Sequence, residues 1–142
     1  MKVVGLDGRP YKLTANRDNA ERTKKSSGHL EARALLGELW PFDLVLEEVH
    51  IPGCGTPLYL DFFLPKRVLS VEVQGAHHRK YIPYFHGTTK GFLEQKQRDS
   101  LKEQFCHVNN IFLAVLHDDD RDNWRNIILA TVSRRGQVTE GI

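Results

Sequence analysis

Cysteine is scarce. Only Cys54 and Cys106 occur in 142 residues, and neither sits in the CxxC or HxxxH spacing that structural zinc sites use. Both are expected as free thiols, with Cys106 in the core. Long apolar runs are missing as well: no stretch of about 18 apolar residues exists, so nothing reads as a membrane span. The amino-terminal MKVVGLDGRPYKL meets a turn and charge too early for a signal peptide, and a cytoplasmic protein is the expectation. Internal repeats and low-complexity tracts are also lacking. What remains is ordinary globular composition, 40% apolar and 27% charged, in a chain long enough to bury a core without disulfides.

The formal charge of +2 hides a segregated distribution. Arg17, Arg22, Lys24 and Lys25 cluster ahead of the first expected helix, Arg79 and Lys80 lie in a mid-chain loop, and Arg134 and Arg135 stand near the end. Glu47, Glu48 and Asp118-Asp119-Asp120 are the main acidic counterweight. Such separation permits a nucleic-acid face, although charge runs of this kind are also ordinary solvated surface.

Asp7-Gly8 between two β-prone runs predicts a small hairpin, whose Val3, Val4 and Tyr11 either cap the core or meet a second subunit in a homodimer. Residues 14–27 are polar and basic without a period and read as an arm. A helix is expected from about His29 to Trp40, with Leu30, Ala34, Leu35, Leu36 and Leu39 on its apolar side and Pro41 ending it. Leu44 to Ile51, Leu58 to Leu64 and Val68 to Gln74 read as strands, and the short turns between them imply an antiparallel meander. Residues 75–90 read as a loop, followed by a helix from Phe92 to Phe105 and a strand from Ile111 to Leu116. A last helix, capped by Asp122, is expected to close at Arg134-Arg135-Gly136. The implied fold class is α/β, a mixed central sheet flanked by helices with a small N-terminal hairpin. The chain divides into a hairpin and basic arm over 1–28 and a main domain over 29–142.

Alternation places Val68, Ser70, Glu72 and Gln74 on one face of their strand and Leu69, Val71 and Val73 on the other, core-facing side. Asp61 interrupts an apolar run in the neighbouring strand. Two carboxylates aimed at one spot repel unless a cation lies between them, and oxygen ligands of this kind suit Mg²⁺. The bland counterpart puts both on an exposed sheet face. Gly75 lets the chain turn, and His77-His78 follow at once; a loop histidine there can act as general base or hold an attacking water. In the helix from Phe92, Leu93, Gln97, Leu101 and Phe105 form the expected core stripe. Gln95, Asp99 and Lys102 fall on another face, where a solvated surface pair is the alternative reading.

The segments LDFFLP, VEVQGAHH and QKQRDSLKEQFCHVNNIFLAVL, in that order, resemble the PD-(D/E)XK nuclease superfamily. Within it, the chain is most similar to very-short-patch mismatch-repair endonucleases and the phage homing endonucleases like them, over about residues 29 to 130. The resemblance implies a restriction-endonuclease-like fold and a divalent-metal-dependent DNA endonuclease, either homing or structure-specific. Asp61, Glu72 and the Val73 carbonyl would hold Mg²⁺, with Mn²⁺ able to substitute. Gln74 would stand where the catalytic lysine usually does, Glu31 at the acid of the first helix, His78 after the strand end, and Asp99 on the following helix beside Lys102. The basic residues of the arm (Arg17, Arg22, Lys24 and Lys25) and of the loop (Arg79 and Lys80) would neutralise DNA phosphates. Two departures stand out. Gln74 carries no charge, so Lys102, Lys96 or His78 must supply what a lysine would. Ala76 replaces the cysteine of the repair enzymes' zinc site. A catalytically silent nucleic-acid-binding module of the same fold is the competing expectation.

Overall fold

The computed structural model describes residues 1–14, 25–75 and 89–140, with side chains up to residue 134. The Asp7-Gly8 pair makes the expected turn: Gly8 takes φ 82°, and Asp7 Oδ1 accepts the Arg9 amide at 3.0 Å. Strands β1 (Lys2–Val4) and β2 (Pro10–Lys12) pair antiparallel around it. Val3 and Leu13 are buried in one core cluster with Val49, Leu60, Phe63 and Phe105, and Tyr11 packs against it. Val3 and Tyr11 therefore cap the protein's own core, while Val4 stays exposed.

Helix α1 (Ser27–Leu39) starts where Ser26 Oγ accepts the His29 amide at 3.2 Å, so the expected 28/29 division falls inside its first turn. Its buried residues are Gly28, His29, Ala32 and Leu36; Leu30 is 48% exposed and Ala34 is also outside. Leu36, with Leu35 and Leu39 packed against the same core, bears out the expected apolar side, while Leu30 and Ala34 fall outside it because small residues at 28 and 32 let the helix approach the sheet closely. A Cβ added at Gly28 would lie 3.2 Å from Val73 Cγ1 and 2.9 Å from Asp118 Oδ1.

Strands β3 (Leu46–His50), β4 (Tyr59–Leu64) and β5 (Leu69–Gln74) form the antiparallel meander. Helix α2 (Thr89–Val108) leads to β6 (Phe112–His117), which pairs parallel with β5, so the sheet order is β3-β4-β5-β6. A 3-10 segment (Asp118–Asn123) then opens helix α3 (Trp124–Glu140). This helix starts at Trp124, past the expected Asp122 cap, and runs through Arg134-Arg135-Gly136 without stopping there. The fold class is the expected one: a mixed four-stranded sheet flanked by helices, with a small hairpin. Phe105 and Cys106 of α2 cover one sheet face; Ala32 and Leu36 of α1 with Trp124 and Ile128 of α3 cover the other. No helix of the described residues is long and apolar enough to cross a membrane.

The bland reading of an exposed β5 face and the expected core stripe of α2 both fail. Strand β5 is buried on both sides, with Ser70 fully enclosed and its hydroxyl donating to Phe62 O at 3.2 Å. An interior strand beside a parallel neighbour is covered on both faces, so polar alternation here does not mark solvent. In α2, Leu93 is 60% exposed, and the core contacts come from Leu101 and Phe105 nearer the C-terminus.

The end of α2 is fixed by a Schellman arrangement. Ile111 N donates to Cys106 O at 2.8 Å, Asn110 N to His107 O at 3.2 Å, and Asn110 takes φ 55°. Asparagine tolerates this left-handed position better than most residues. Asn110→Ala is expected to lower stability by about 1 kcal/mol, while Asn110→Gly stays near the parent. Urea midpoints check this; equal midpoints for all three proteins would remove the assigned role.

Candidate metal centre

The site grows from a shared irregularity in two strands. The β3–β4 register pairs Val49 with Leu60 and Glu47 with Phe62, which sets Glu48 opposite Asp61. Glu48 has φ 51°, a left-handed backbone that costs a non-glycine residue about 1–2 kcal/mol. Along β4, Leu60 and Phe63 belong to one core cluster and Phe62 and Leu64 to the other. Along β3, Leu46 and Val49 share a side. The in-out alternation thus slips at the facing positions, and the carboxylates of Glu48 and Asp61 leave the apolar faces. Irregularities of this kind re-aim side chains next to functional sites.

On its other flank, Asp61 meets β5. Backbone pairing covers Phe62–Val71, Phe63–Ser70 and Leu64–Leu69, and beyond it side chains take over. The Asp61 amide donates to Glu72 Oε2, and the Val73 amide donates to Asp61 Oδ2 at 2.9 Å. Lys102 of α2 closes the arrangement, with Nζ 2.7 Å from Glu72 Oε1. Asp61 Oδ1 has no hydrogen bond to the described residues.

Glu72 is only 3% exposed, which overturns the bland reading of a solvent-facing carboxylate. Burial first, then the neighbouring Asp61 charge, pushes its carboxyl up to about 8 against the pull of Lys102. Burial likewise raises Asp61, opposed by Lys102 and the Val73 amide. Burial alone would lower Lys102, but the charges of Glu72 and Asp61 outweigh it and raise its pKa. Beneath them, burial and then the Glu72 charge push the Cys106 thiol up to about 12, so it stays protonated.

A second set of side chains gathers at Glu48. Lys25 Nζ lies 2.8 Å from Glu48 Oε1 with its side chain 8% exposed. His29 stacks on Phe62 with centroids 4.4 Å apart, and its Nε2 is 2.7 Å from Glu47 Oε1. Arg33 grips Glu47 by two bonds of 2.9 and 2.8 Å. Burial would raise the Glu47 carboxyl, but Arg33 and His29 overcome that and lower it. One ligand atom each from His29, Glu48 and Asp61 lies within 4.8 Å of the others. Donors about 2.0–2.4 Å from a common ion are separated by up to about 4.8 Å, so the set fits a divalent cation.

The space beside these groups is a cleft of about 280 Å³ lined by Glu48, Asp61, Gln95, Arg98, Asp99 and Lys102, among others. A second cleft of about 350 Å³ holds Gln74, Lys96, Asp99, Ser100, Glu103 and His117. The stripe read from α2 (Gln95, Asp99, Lys102) therefore faces the site.

The structure brings Asp61, Glu72 and Lys102 together, with Val73 entering through its amide N–H. Gln74 lines the second cleft, which shares Asp99 with the first. Lys96 shares that cleft, so of the two lysine candidates Lys102 is the one on Glu72. Glu31 is displaced from the centre: it is exposed on α1 and paired with Arg121 at 2.7 Å, which also holds Asp118. The first helix contributes His29, because close packing at Gly28 turns that side of the helix inward. Lys25 is no exposed phosphate contact but a largely buried partner of Glu48. His78, Arg17, Arg22, Lys24, Arg79 and Lys80 lie outside the described residues. Sequence reasoning missed His29, taken only as a helix start, and Glu48, taken as surface acid. The available signal was the Glu47-Glu48 pair inside the apolar run LVLEEVHI.

No family model matches the chain, and no solved structure matches it. It is 45% identical over 56 residues to uncharacterized protein 307L of Invertebrate iridescent virus 6, covering 39% of this chain and 28% of that protein. It is 32% identical over 95 residues to uncharacterized protein 033L of Invertebrate iridescent virus 3, covering 65% of this chain and 49% of that one. The chain thus spans at most about half the length of these curated relatives.

Proposed function

We propose that this chain is a divalent-metal-dependent endodeoxyribonuclease of the PD-(D/E)XK type. The observation that carries the reading is the facing pair Asp61 and buried Glu72, the Asp61 amide on the Glu72 carboxylate and the Val73 amide on the Asp61 carboxylate, capped by the Lys102 ammonium. The order of helix, antiparallel meander, helix and parallel strand supports it, being the arrangement the resemblance implies.

Asp61 and Glu72, with the Val73 carbonyl, would hold Mg²⁺ or Mn²⁺. Such an ion supplies Lewis acidity to a phosphodiester and lowers the pKa of an attacking water. Lys102 provides the positive charge that Gln74 lacks, placed to orient that water and to offset charge developing on the phosphate. Arg98, at the cleft, is placed to meet a neighbouring phosphate, and Arg17, Arg22, Lys24, Arg79 and Lys80 would extend that contact. That both relatives are viral supports an infected cell as the place of action.

The test is cleavage of plasmid, branched and mismatched DNA with Mg²⁺ or Mn²⁺ against a chelator control. Metal-dependent cutting is expected, with Asp61→Asn reducing it at least about 100-fold. Salt-dependent retention on DNA with no cutting by either ion would replace this reading with the silent binding module.

A further inference from the structure

Asp61 is flanked twice. Across β5 it meets Glu72, where Lys102 supplies the counter-charge; across β3 it meets Glu48, beside His29. This second flank has a chemistry of its own. We propose that His29, Glu48 and Asp61 form a site for a divalent transition-metal ion that discriminates against Mg²⁺.

The donors come from three separate elements: α1, β3 and β4. Mg²⁺ prefers oxygen ligands and sheds water reluctantly, whereas an imidazole beside two carboxylates suits the first-row transition ions, of which Mn²⁺ binds least tightly and so makes the most stringent probe. The imidazole is held as a metal ligand needs to be. Phe62 fixes its plane at 4.4 Å, Glu47 sits on Nε2 at 2.7 Å, and Arg33 locks Glu47 by two bonds. A carboxylate on a ring nitrogen sets the orientation of a ligating histidine and raises its basicity.

Two further observations point to a cation. Asp61 Oδ1 lacks a hydrogen bond to the described residues, since only Oδ2 takes the Val73 amide. The largely buried Lys25 ammonium already rests on Glu48 at 2.8 Å, so the cluster draws positive charge in from the side away from Glu72. A metal ion at this position competes with Lys25 for Glu48. The site shares Asp61 with the proposed catalytic pair but needs no phosphodiester chemistry to exist.

Calorimetric titration of the chelator-stripped full chain with MnCl₂ and with MgCl₂, without DNA, tests it. Mn²⁺ is expected to bind at least about tenfold more tightly than Mg²⁺, and His29→Ala and Glu48→Gln each to weaken Mn²⁺ at least about tenfold with Mg²⁺ nearly unchanged. Lys25→Met is expected to tighten Mn²⁺. Pulsed electron paramagnetic resonance of Mn²⁺ on the unmutated chain needs no variant to fold, and should show ¹⁴N modulation from one imidazole. Equal affinities for the two ions, or bound Mn²⁺ with no nitrogen modulation, would overturn the site. Mg²⁺-dependent cleavage alongside either result leaves the nuclease reading standing; inactivity on DNA with nitrogen-ligated Mn²⁺ does the reverse.

Discussion

Lys102→Met is expected to cost the metal-free fold about 1–3 kcal/mol at pH 8.5, because a Glu72 carboxyl already raised to about 8 beside the ammonium must take up a proton once that ammonium is gone. The Lys102 ammonium rests 2.7 Å from a Glu72 carboxylate whose side chain is 5% exposed, and burial leaves that carboxylate little water to fall back on. The double variant Glu72→Gln/Lys102→Met should recover most of the loss, because the buried carboxyl that had to be protonated is gone with its partner. Urea denaturation of the three variants and the parent, in chelator, gives the coupling directly. A loss below about 1 kcal/mol for Lys102→Met would place the pair in the class of solvated surface bridges and remove Lys102 from the centre.

The second large effect is on pH. Glu72 is raised from 4.5 to about 8, and Asp61 is raised too, both chiefly by burial. The folded state therefore binds more protons than the unfolded chain between those values, and stability must fall as pH rises through that window. Glu47 has the opposite sign: its lowered carboxyl contributes stability above its unfolded pKa of 4.5 and loses it as pH falls below that through its folded value. Lys102, being raised from 10.5, holds its contribution until pH passes well above the window. The metal-free protein should be most stable near pH 5 and lose a few kcal/mol, roughly 10 °C in Tm, by pH 8.5. Added Mn²⁺ should restore much of this at pH 8.5 and little at pH 5, since a cation replaces protons at the same carboxylates. A Tm that is flat or rising from pH 5 to 8.5 in chelator would contradict the burial of this pair.

Much of the architecture was legible before the fold was seen. Asp7-Gly8 announced the hairpin, and the short turns at PGCGTP and Pro65 to Arg67 dictated the meander. What alternation cannot reveal is whether a polar residue faces water or a buried partner. Ser70 and Glu72 looked like an open face and are enclosed, because the Phe62 carbonyl and Lys102 satisfy them inside. Local chemistry also hid Glu48: its left-handed backbone is not signalled by glycine or asparagine, so a count along LVLEEVHI continues straight through the slip. His29 was obscured differently. Leu30 and Ala34, four residues apart, suggested one helix face, while the small residues Gly28 and Ala32 decided the packing. Asp61, Glu72 and Lys102 could be named because strand spacing and helix period both converge on them.

The exchange of backbone acceptors for side-chain acceptors between β4 and β5 carries one more consequence. In an ordinary ladder an amide's protection depends on whether two strands stay together, and is indifferent to titration. Here the amides of Asp61 and Val73 hang on carboxylate oxygens, so their bonds strengthen or slacken with whatever proton or cation those oxygens hold. Two main-chain groups inside the sheet thus register the occupancy of the site, turning a stretch of scaffold into its gauge.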